Sequence, residues 1–264
     1  MADYVLAARD DEDRATEAER LALLQAFHDP LTVRAFEAVG VAAGWRCLEV
    51  GAGAGSMTRW LSGRVAPAGR VLAVDLDPSP VAAMGLANVE ARRADVLADP
   101  LPGGFDLVYS RLVLLHLPRR REALARMAAA LRPGGWLVLQ DVDFRGHGPV
   151  EPDAAYARVF EAFLRRVREA GWEPSCGALL GAGLRAAGLA EVAQRSWFGE
   201  VAGGSVRCLI QGLTYERLRA QIVATGLAGD ADVDAARALL ADPARRELGP
   251  RVWTAWGRRA DAPR

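Results

Sequence analysis

The residues with chemical potential gather around a few apolar runs. Residues 47–56 read Cys-Leu-Glu-Val-Gly-Ala-Gly-Ala-Gly-Ser, with glycines at 51, 53 and 55 and Glu49 just ahead of them. Glycine lets a backbone turn sharply and lets a ligand approach with no Cβ in the way, so an apolar strand running into such a turn is a cradle for a nucleotide-type cofactor. The next apolar run, Val-Leu-Ala-Val, ends at Asp75, where a carboxylate can hold a ribose diol. Asp77 competes for that role, and Asp75 is preferred because it ends the strand. His116, in Leu-Val-Leu-Leu-His-Leu-Pro, has a side chain suited to proton transfer near neutral pH. Asp141 and Asp143 follow a later strand and can bind a substrate or take a proton. Each has a plainer role open to it: His116 packed under a helix, Asp141 capping a loop, Glu49 bracing the glycine turn.

The elements that position these groups alternate. Helix-like patterns cover 14–28 and 31–39, separated by Pro30. Strands are expected at Trp45–Val50, Arg70–Asp75, Val89–Ala94, Phe105–Ser110 and Trp136–Gln140. Helices are expected at Ser56–Val65, Pro78–Leu86 and Pro118–Leu131, the last stopped by Pro133-Gly134-Gly135. Interleaving at this spacing predicts a parallel sheet covered on both faces, with all strand C-termini on one edge. Further on, helices are expected at 152–170, 177–187, 206–225 and 232–240, and strands at Val192–Val201 and Arg251–Arg258. The expected organisation is one domain, 1–264. Within it, 1–40 is a helical lid, 41–150 the cofactor-binding core, and 151–264 a substrate-side half with a helical insertion at about 200–248.

Composition excludes several function classes. Thirty-three basic residues balance thirty-three acidic ones, so no global field draws the chain to nucleic acid or an anionic membrane. No run of ~18 apolar residues predicts a membrane span, and no signal-peptide pattern opens the chain; a cytoplasmic protein is expected, monomeric or homodimeric. Cys47, Cys176 and Cys208 are scattered as core thiols, with no spacing for a metal or a disulfide. Every basic residue is arginine. The missing lysine removes P-loop, pyridoxal-phosphate and Tyr/Lys dehydrogenase chemistry.

The glycines depart from the dinucleotide fingerprint, whose third glycine or alanine would stand where Ser56 stands. Glu49-Val-Gly51-Ala-Gly53-Ala-Gly55 instead resembles the opening element of class I S-adenosylmethionine-dependent methyltransferases of the small-molecule type. Further elements follow in order across 45–140. Asp75 resembles their second-strand acid, and Asp95, in Arg-Arg-Ala-Asp-Val-Leu, the third-strand acid beside the adenine. Phe105–Ser110 resembles the fourth strand, and Leu131-Arg-Pro-Gly-Gly-Trp-Leu137 the turn before the fifth.

The resemblance implies a doubly wound α/β fold with a mostly parallel seven-stranded sheet, its last strand antiparallel, plus a helical cap. It implies S-adenosylmethionine as the cofactor and S-adenosylhomocysteine as the product. Gly51, Ala52, Gly53 and Gly55 would pass their backbone close to the amino-acid tail, and Glu49 would orient that tail. Asp75 would take the ribose hydroxyls, and Leu76 would cover the adenine. Asp95 and the Val96 amide would meet the adenine edge. Ser110 and Arg111 would lie near the tail and methyl, and Tyr4 is offered as a lid residue. His116, Asp141 and Arg111 are the candidates for catalysis, with Arg111 pairing either with a substrate carboxylate or with Asp141. His147, in Arg-Gly-His-Gly-Pro, is read as part of a mobile loop, His28 as structural before an Asp-Pro turn, and Asp106 as a loop brace.

The expected reaction is in-line methyl transfer to a small organic acceptor, such as a natural-product intermediate, with nucleic acid not expected as a partner. Aromatics of the second half (Tyr156, Phe160, Phe163, Trp172, Trp197, Phe198 and Tyr215) are candidates to line an apolar acceptor pocket. Two alternatives stay open: a nicotinamide-dependent oxidoreductase, disfavoured by Ser56, Glu49 and the missing lysine, and a non-methylating protein that retains the cofactor.

Overall fold

A computed structural model describes residues 11–261, with side chains from residue 16. It divides into two compact units. The larger comprises Asp29–Val142, Cys176–Ser196 and the chain from Val252. The other comprises the described residues up to His28, with Asp143–Ser175 and Trp197–Arg251.

Helix α1 (Asp11–Ala38) is followed by β1 (Arg46–Val50), α2 (Ser56–Val65), β2 (Arg70–Asp75), a short α3 (Ser79–Ala82) and β3 (Val89–Arg93). Then come β4 (Phe105–Arg111), a 3-10 turn at Leu114–His116, α4 (Arg120–Ala130) and β5 (Leu131–Asp143). After β6 (Gly148–Pro149), α5 (Ala154–Glu169) and α6 (Cys176–Ala186) come β7 (Ala190–Trp197) and β8 (Glu200–Ala202). The chain continues through α7 (Val206–Arg217), α8 (Arg219–Val223), α9 (Asp230–Ala241), β9 (Arg246–Leu248) and β10 (Arg251–Arg258).

The larger unit holds a seven-stranded sheet in the order β3-β2-β1-β4-β5-β10-β7. β1 pairs in parallel with β2 and β4, β2 with β3, and β4 with β5. β10 runs antiparallel to β5: the Gly134 N–H donates to the Arg259 carbonyl at 2.9 Å, and the Arg259 N–H to the Gly135 carbonyl at 2.8 Å. In the same register, the Gln140 side chain donates to Thr254 Oγ1 at 2.9 Å. Successive strand residues alternate between faces. Cys47, Val71, Leu107, Tyr109 and Val138 pack with Ala35, Phe36 and Val39 of α1 and Met57, Leu61 and Val65 of α2. Leu48, Leu72, Val108 and Leu137 are buried at the alternate positions, so both faces are covered.

Two expectations are corrected here. The helices expected at 14–28 and 31–39 are one helix running through Pro30. Proline removes one backbone donor and disfavours the helical state before it, but Ala35, Phe36 and Val39 are anchored in the core and Asp29 is held by side-chain bonds to two other segments. His28 therefore lies inside a helix and not before a turn. Likewise, Pro133-Gly134-Gly135 lies within β5. Phe105 pairs with Leu131 and Leu107 with Trp136, so the extra residues bulge out between the two pairs. Gly135 is required there: a Cβ would lie 2.7 Å from the Phe105 carbonyl oxygen, with two more backbone oxygens within 3.2 Å. Gly135→Ala is expected to cost about 2 kcal/mol, because backbone cannot move aside as a side chain can, and to lower the unfolding temperature by roughly 5 °C in calorimetry.

The second unit holds α5 and α7–α9 together with an antiparallel sheet in the order β6-β9-β8. The strand expected over Val192–Val201 is thus two strands in two sheets, separated at Phe198-Gly199. Cys47, Cys176 and Cys208 are all buried, and none is in a disulfide. No helix among the described residues is long and apolar enough to cross a membrane.

Candidate active site

Strands β1, β2, β3 and β4 end on one edge of the sheet, and each brings a candidate group there. The turn after β1 uses glycine three times in the left-handed region, with φ 78° at Gly51, 51° at Gly53 and 78° at Gly55. Gly51 has a second reason to be glycine, since a Cβ would overlap Val113 Cγ2. Around Gly53 a Cβ would meet nothing within 4 Å, so the middle of the turn is open.

Asp75 braces this turn. Its Oδ2 accepts from the Gly53 N–H at 2.8 Å and its Oδ1 from the Asp77 N–H at 3.1 Å. Next to it Leu76 stands 52% exposed, an apolar face beside a carboxylate. Asp77 accepts from the amide and hydroxyl of Ser79 at the start of α3, which holds its carboxyl below the usual range. Asp95 accepts from the Leu97 N–H at 2.8 Å; Val96 is buried, and its carbonyl accepts from Arg126.

Glu49 is buried beneath the turn and accepts a 2.5 Å bond from Thr58 Oγ1 on the first turn of α2. Burial pushes its carboxyl up to about 7, against the opposing pull of the Thr58 bond and the Arg111 charge. Ser110 donates to the Val50 carbonyl at 2.8 Å and so ties the ends of β4 and β1 together. Arg111 donates to Asp29 Oδ1 at 2.8 Å and reaches Thr32 and Ser56 at 3.3 Å each. Asp29, not Asp141, is its carboxylate partner. Directly after it, Leu112 takes the left-handed conformation at φ 53°, an uncommon place for a branched residue and a mark of a constrained loop.

Asp141 is also buried. It accepts from the Leu115 N–H and from its own neighbour's amide at Val142, at 3.0 Å each, and burial pushes its carboxyl up to about 7. It thereby pins the 3-10 turn that carries His116, which is half-buried. Asp106 accepts from the Arg46 N–H and from Arg132, a brace at the start of β4.

Asp143 and His147 belong to the other unit. Asp143 is held by Arg145, which keeps its carboxyl below the ordinary range despite burial. His147, read from the sequence as part of a mobile loop, is buried, with Nδ1 3.1 Å from the Leu248 carbonyl oxygen and Nε2 2.7 Å from the Tyr156 hydroxyl. That hydroxyl also lies 2.8 Å from Glu247 Oε1. Phe144, Phe160 and Tyr156 surround the imidazole, and Tyr156, Phe163 and Tyr215 pack together nearby. Tyr4 lies outside the described residues.

Residues 48–139 match the family of methyltransferase domains. They are a class I, S-adenosylmethionine-dependent methyltransferase domain. Among curated relatives, methyltransferase str3 of Strobilurus tenacellus is 38% identical over 104 residues, covering 38% of this chain and 36% of the relative. Trans-aconitate 2-methyltransferase of Deinococcus radiodurans is 34% identical over 120 residues, 44% of this chain and 45% of the relative. The chain thus matches less than half the length of these relatives. Among solved structures, the YcgJ protein of Bacillus subtilis superposes with a TM-score of 0.60 at 19% identity, covering 89% of this chain and all of the other. The [4+2]-cyclase SpnF gives 0.56 at 22% identity, covering 90% of this chain and 83% of the other. At such identities the likeness is one of fold.

The cofactor of the methyltransferase domain is S-adenosylmethionine. The edge fits it chemically: an open glycine turn, carboxylates at the ends of β1 and β2, and an exposed leucine beside the second. Two residues at this edge of the sheet escape a reading of the sequence as site residues, Asp29 and Thr58. Asp29 lies outside every motif, and its partners Ser56 and Arg111 are distant in sequence. Thr58 is legible only as the third residue of a helix.

Proposed function

We propose that this chain transfers a methyl group from S-adenosylmethionine to a small organic acceptor. The observation that carries the proposal is the braced turn: the Gly53 amide on Asp75, with Glu49 beneath it and Leu76 exposed beside it. S-adenosylmethionine, when bound, supplies a methyl carbon activated by a positive sulfur. Asp75 accepts from the ribose hydroxyls with the loop already in place. Leu76 covers one face of the adenine, while Asp95 and the Val96 amide meet its edge. Gly51, Ala52, Gly53 and Gly55 line the amino-acid tail with backbone, and ionised Glu49 favours a cationic ligand in a low-dielectric pocket. Ser110 and Arg111 hold the end of β4 against β1 and α2. What remains for the protein is alignment and exclusion of water.

Where the acceptor must lose a proton, His116 is the base, and Asp141 acts through the hydrogen bond it accepts from the Leu115 N–H, which fixes that turn. A small acceptor, of the kind made in natural-product pathways, agrees with relatives named for trans-aconitate and for ubiquinone and menaquinone biosynthesis.

Calorimetry with S-adenosylmethionine and with NAD, followed by mass-spectrometric detection of S-adenosylhomocysteine across a panel of small acids, phenols and amines, tests this. Binding of the first and release of S-adenosylhomocysteine with at least one acceptor are expected. Tight NAD binding without S-adenosylmethionine binding overturns it. Binding with no release for any acceptor means the cofactor is retained for another purpose.

A further inference from the structure

Asp29 sits on α1 just before Pro30, and one of its oxygens serves two partners. Oδ1 accepts from Ser56 Oγ at 3.0 Å and from Arg111 Nη1 at 2.8 Å. Arg111 Nη2 closes the triangle on Ser56 Oγ at 3.3 Å. Ser56 opens α2 immediately after the last glycine of the turn, and Thr58, on that same helical turn, donates to Glu49. Arg111 ends β4 and acts on Glu49 through its charge.

We propose that Asp29 is a positioning residue for the cofactor pocket: through a single oxygen it fastens the first turn of α2 to the end of β4, and it sets how much of the Arg111 charge acts on Glu49. The inference rests on the cofactor site proposed above.

The groups that face Glu49 come from several elements. Thr58 approaches from α2, Arg111 and Tyr109 from β4, Asp75 from β2, Asp29 from α1 and Cys47 from its own strand. Burial disfavours the Glu49 anion most, Asp75 and Asp29 add to that, and the Thr58 bond and Arg111 oppose it. The Asp29–Arg111 pair is largely buried, with side-chain exposures of 27% and 14%, so solvent does not cancel its influence. An ionised Glu49 draws the ammonium of the cofactor's amino-acid tail, whereas a protonated one does not. The charge balance of this pair therefore reaches the ligand without either residue touching it.

The full-length chain is titrated calorimetrically with S-adenosylhomocysteine from about pH 5.5 to 8.5. Affinity of the unaltered chain is expected to fall as pH drops through about 7, by up to ~10-fold per unit where binding needs the anion. Asp29→Asn keeps a carbonyl oxygen for both Ser56 and Arg111 and removes only the charge. It is expected to move the midpoint to lower pH by about half a unit. Arg111→Gln is expected to move it to higher pH, and Arg111→Lys to leave it near its place. A staple without electrostatic influence would lower affinity evenly at all pH values. An even loss, shifts in one common direction, or no acid limb in the unaltered chain overturns the inference. Should Arg111→Gln fail to fold, Asp29→Asn decides alone. Absence of S-adenosylhomocysteine binding at every pH in the unaltered chain instead refutes the cofactor site itself.

Discussion

Asp75→Ala is expected to weaken S-adenosylmethionine binding by about 1–3 kcal/mol, roughly 5- to 150-fold. Two losses combine. The ribose hydroxyls lose a charged acceptor, and the Gly53 amide loses the oxygen that holds the open middle of the turn at 2.8 Å. The Asp77 amide loses its partner as well. Asp75→Asn retains one acceptor oxygen and is expected to fall between the two. Calorimetry measures the affinities, and thermal unfolding of the ligand-free protein separates a loosened turn from a weakened fold. An unchanged affinity would mean that another carboxylate holds the ribose. Asp77 would then have to give up Ser79, whose amide and hydroxyl it now accepts.

The second large effect concerns the unit built on α5 and β6-β9-β8, and it follows from counting protons. The Tyr156 hydroxyl has one hydrogen for two neighbours, His147 Nε2 at 2.7 Å and Glu247 Oε1 at 2.8 Å. The Leu248 carbonyl can only accept, so His147 Nδ1 carries a hydrogen. One further proton must then reside on either His147 or Glu247, or two acceptors would face each other. Burial disfavours the imidazolium and lowers His147 to about 3, and it raises Glu247 to about 7, so the proton belongs on Glu247.

The signs follow from linkage. The Glu247 contribution is fully present below about 4.5 and is lost as pH rises through about 7. The His147 contribution is present above about 6.5 and is lost as pH falls towards about 3. Between about 4.5 and 6.5 the two slopes cancel, so this pair adds no pH dependence there, and the fall in stability across that window comes from other raised carboxyls such as Glu49 and Asp141. Glu247→Gln imitates the protonated acid permanently and leaves the His147 slope unopposed within this pair. Relative to the unaltered chain, its stability is expected to rise by on the order of 2 kcal/mol across that window. Tyr156→Phe breaks both bonds at once and is expected to cost about 3 kcal/mol near neutrality. Urea unfolding at several pH values tests all three chains. A Glu247→Gln profile parallel to that of the unaltered chain would show that the proton is not shared in this way.

Much of the fold could be read from local pattern because its parallel strands are buried on both faces and leave continuous apolar runs. Val71-Leu-Ala-Val74 is such a run, and β2 and α2 stand where the pattern puts them. What escaped the pattern depended on contacts distant in sequence. Pro30 reads as a break until Asp29 is seen bonded to Ser56 and Arg111. Pro133-Gly134-Gly135 reads as a stop because its bulge exists only against Phe105 of the neighbouring strand. β6, β8 and β9 have two or three residues each, too few to show alternation. In the candidate site, the glycine turn and the strand-end carboxylates stand where the sequence puts them because their placement is local. Arg111 reads as pairing with a substrate carboxylate or with Asp141, whereas its partner is Asp29, distant in sequence. His147 reads as part of a mobile loop because glycines flank it, whereas its burial comes from Tyr156, Phe160 and Leu248.

The order of strands also constrains how the chain can be made. β7 meets the sheet only through β10, and β10 is inserted between β5 and β7. During synthesis β7 emerges well before the strand that will hold it. Until residues 251–258 leave the ribosome, β5 presents an open edge and β7 has no place in the sheet. The early strands β1 to β5 can pair as they appear, but the sheet closes in a single late event joining two segments far apart in the chain. Such non-local closure is slow and leaves unpaired edges exposed while it waits. Ribosome-stalled chains ending before residue 251 should therefore hold β1–β5 protected from proteolysis and leave β7 open to cleavage.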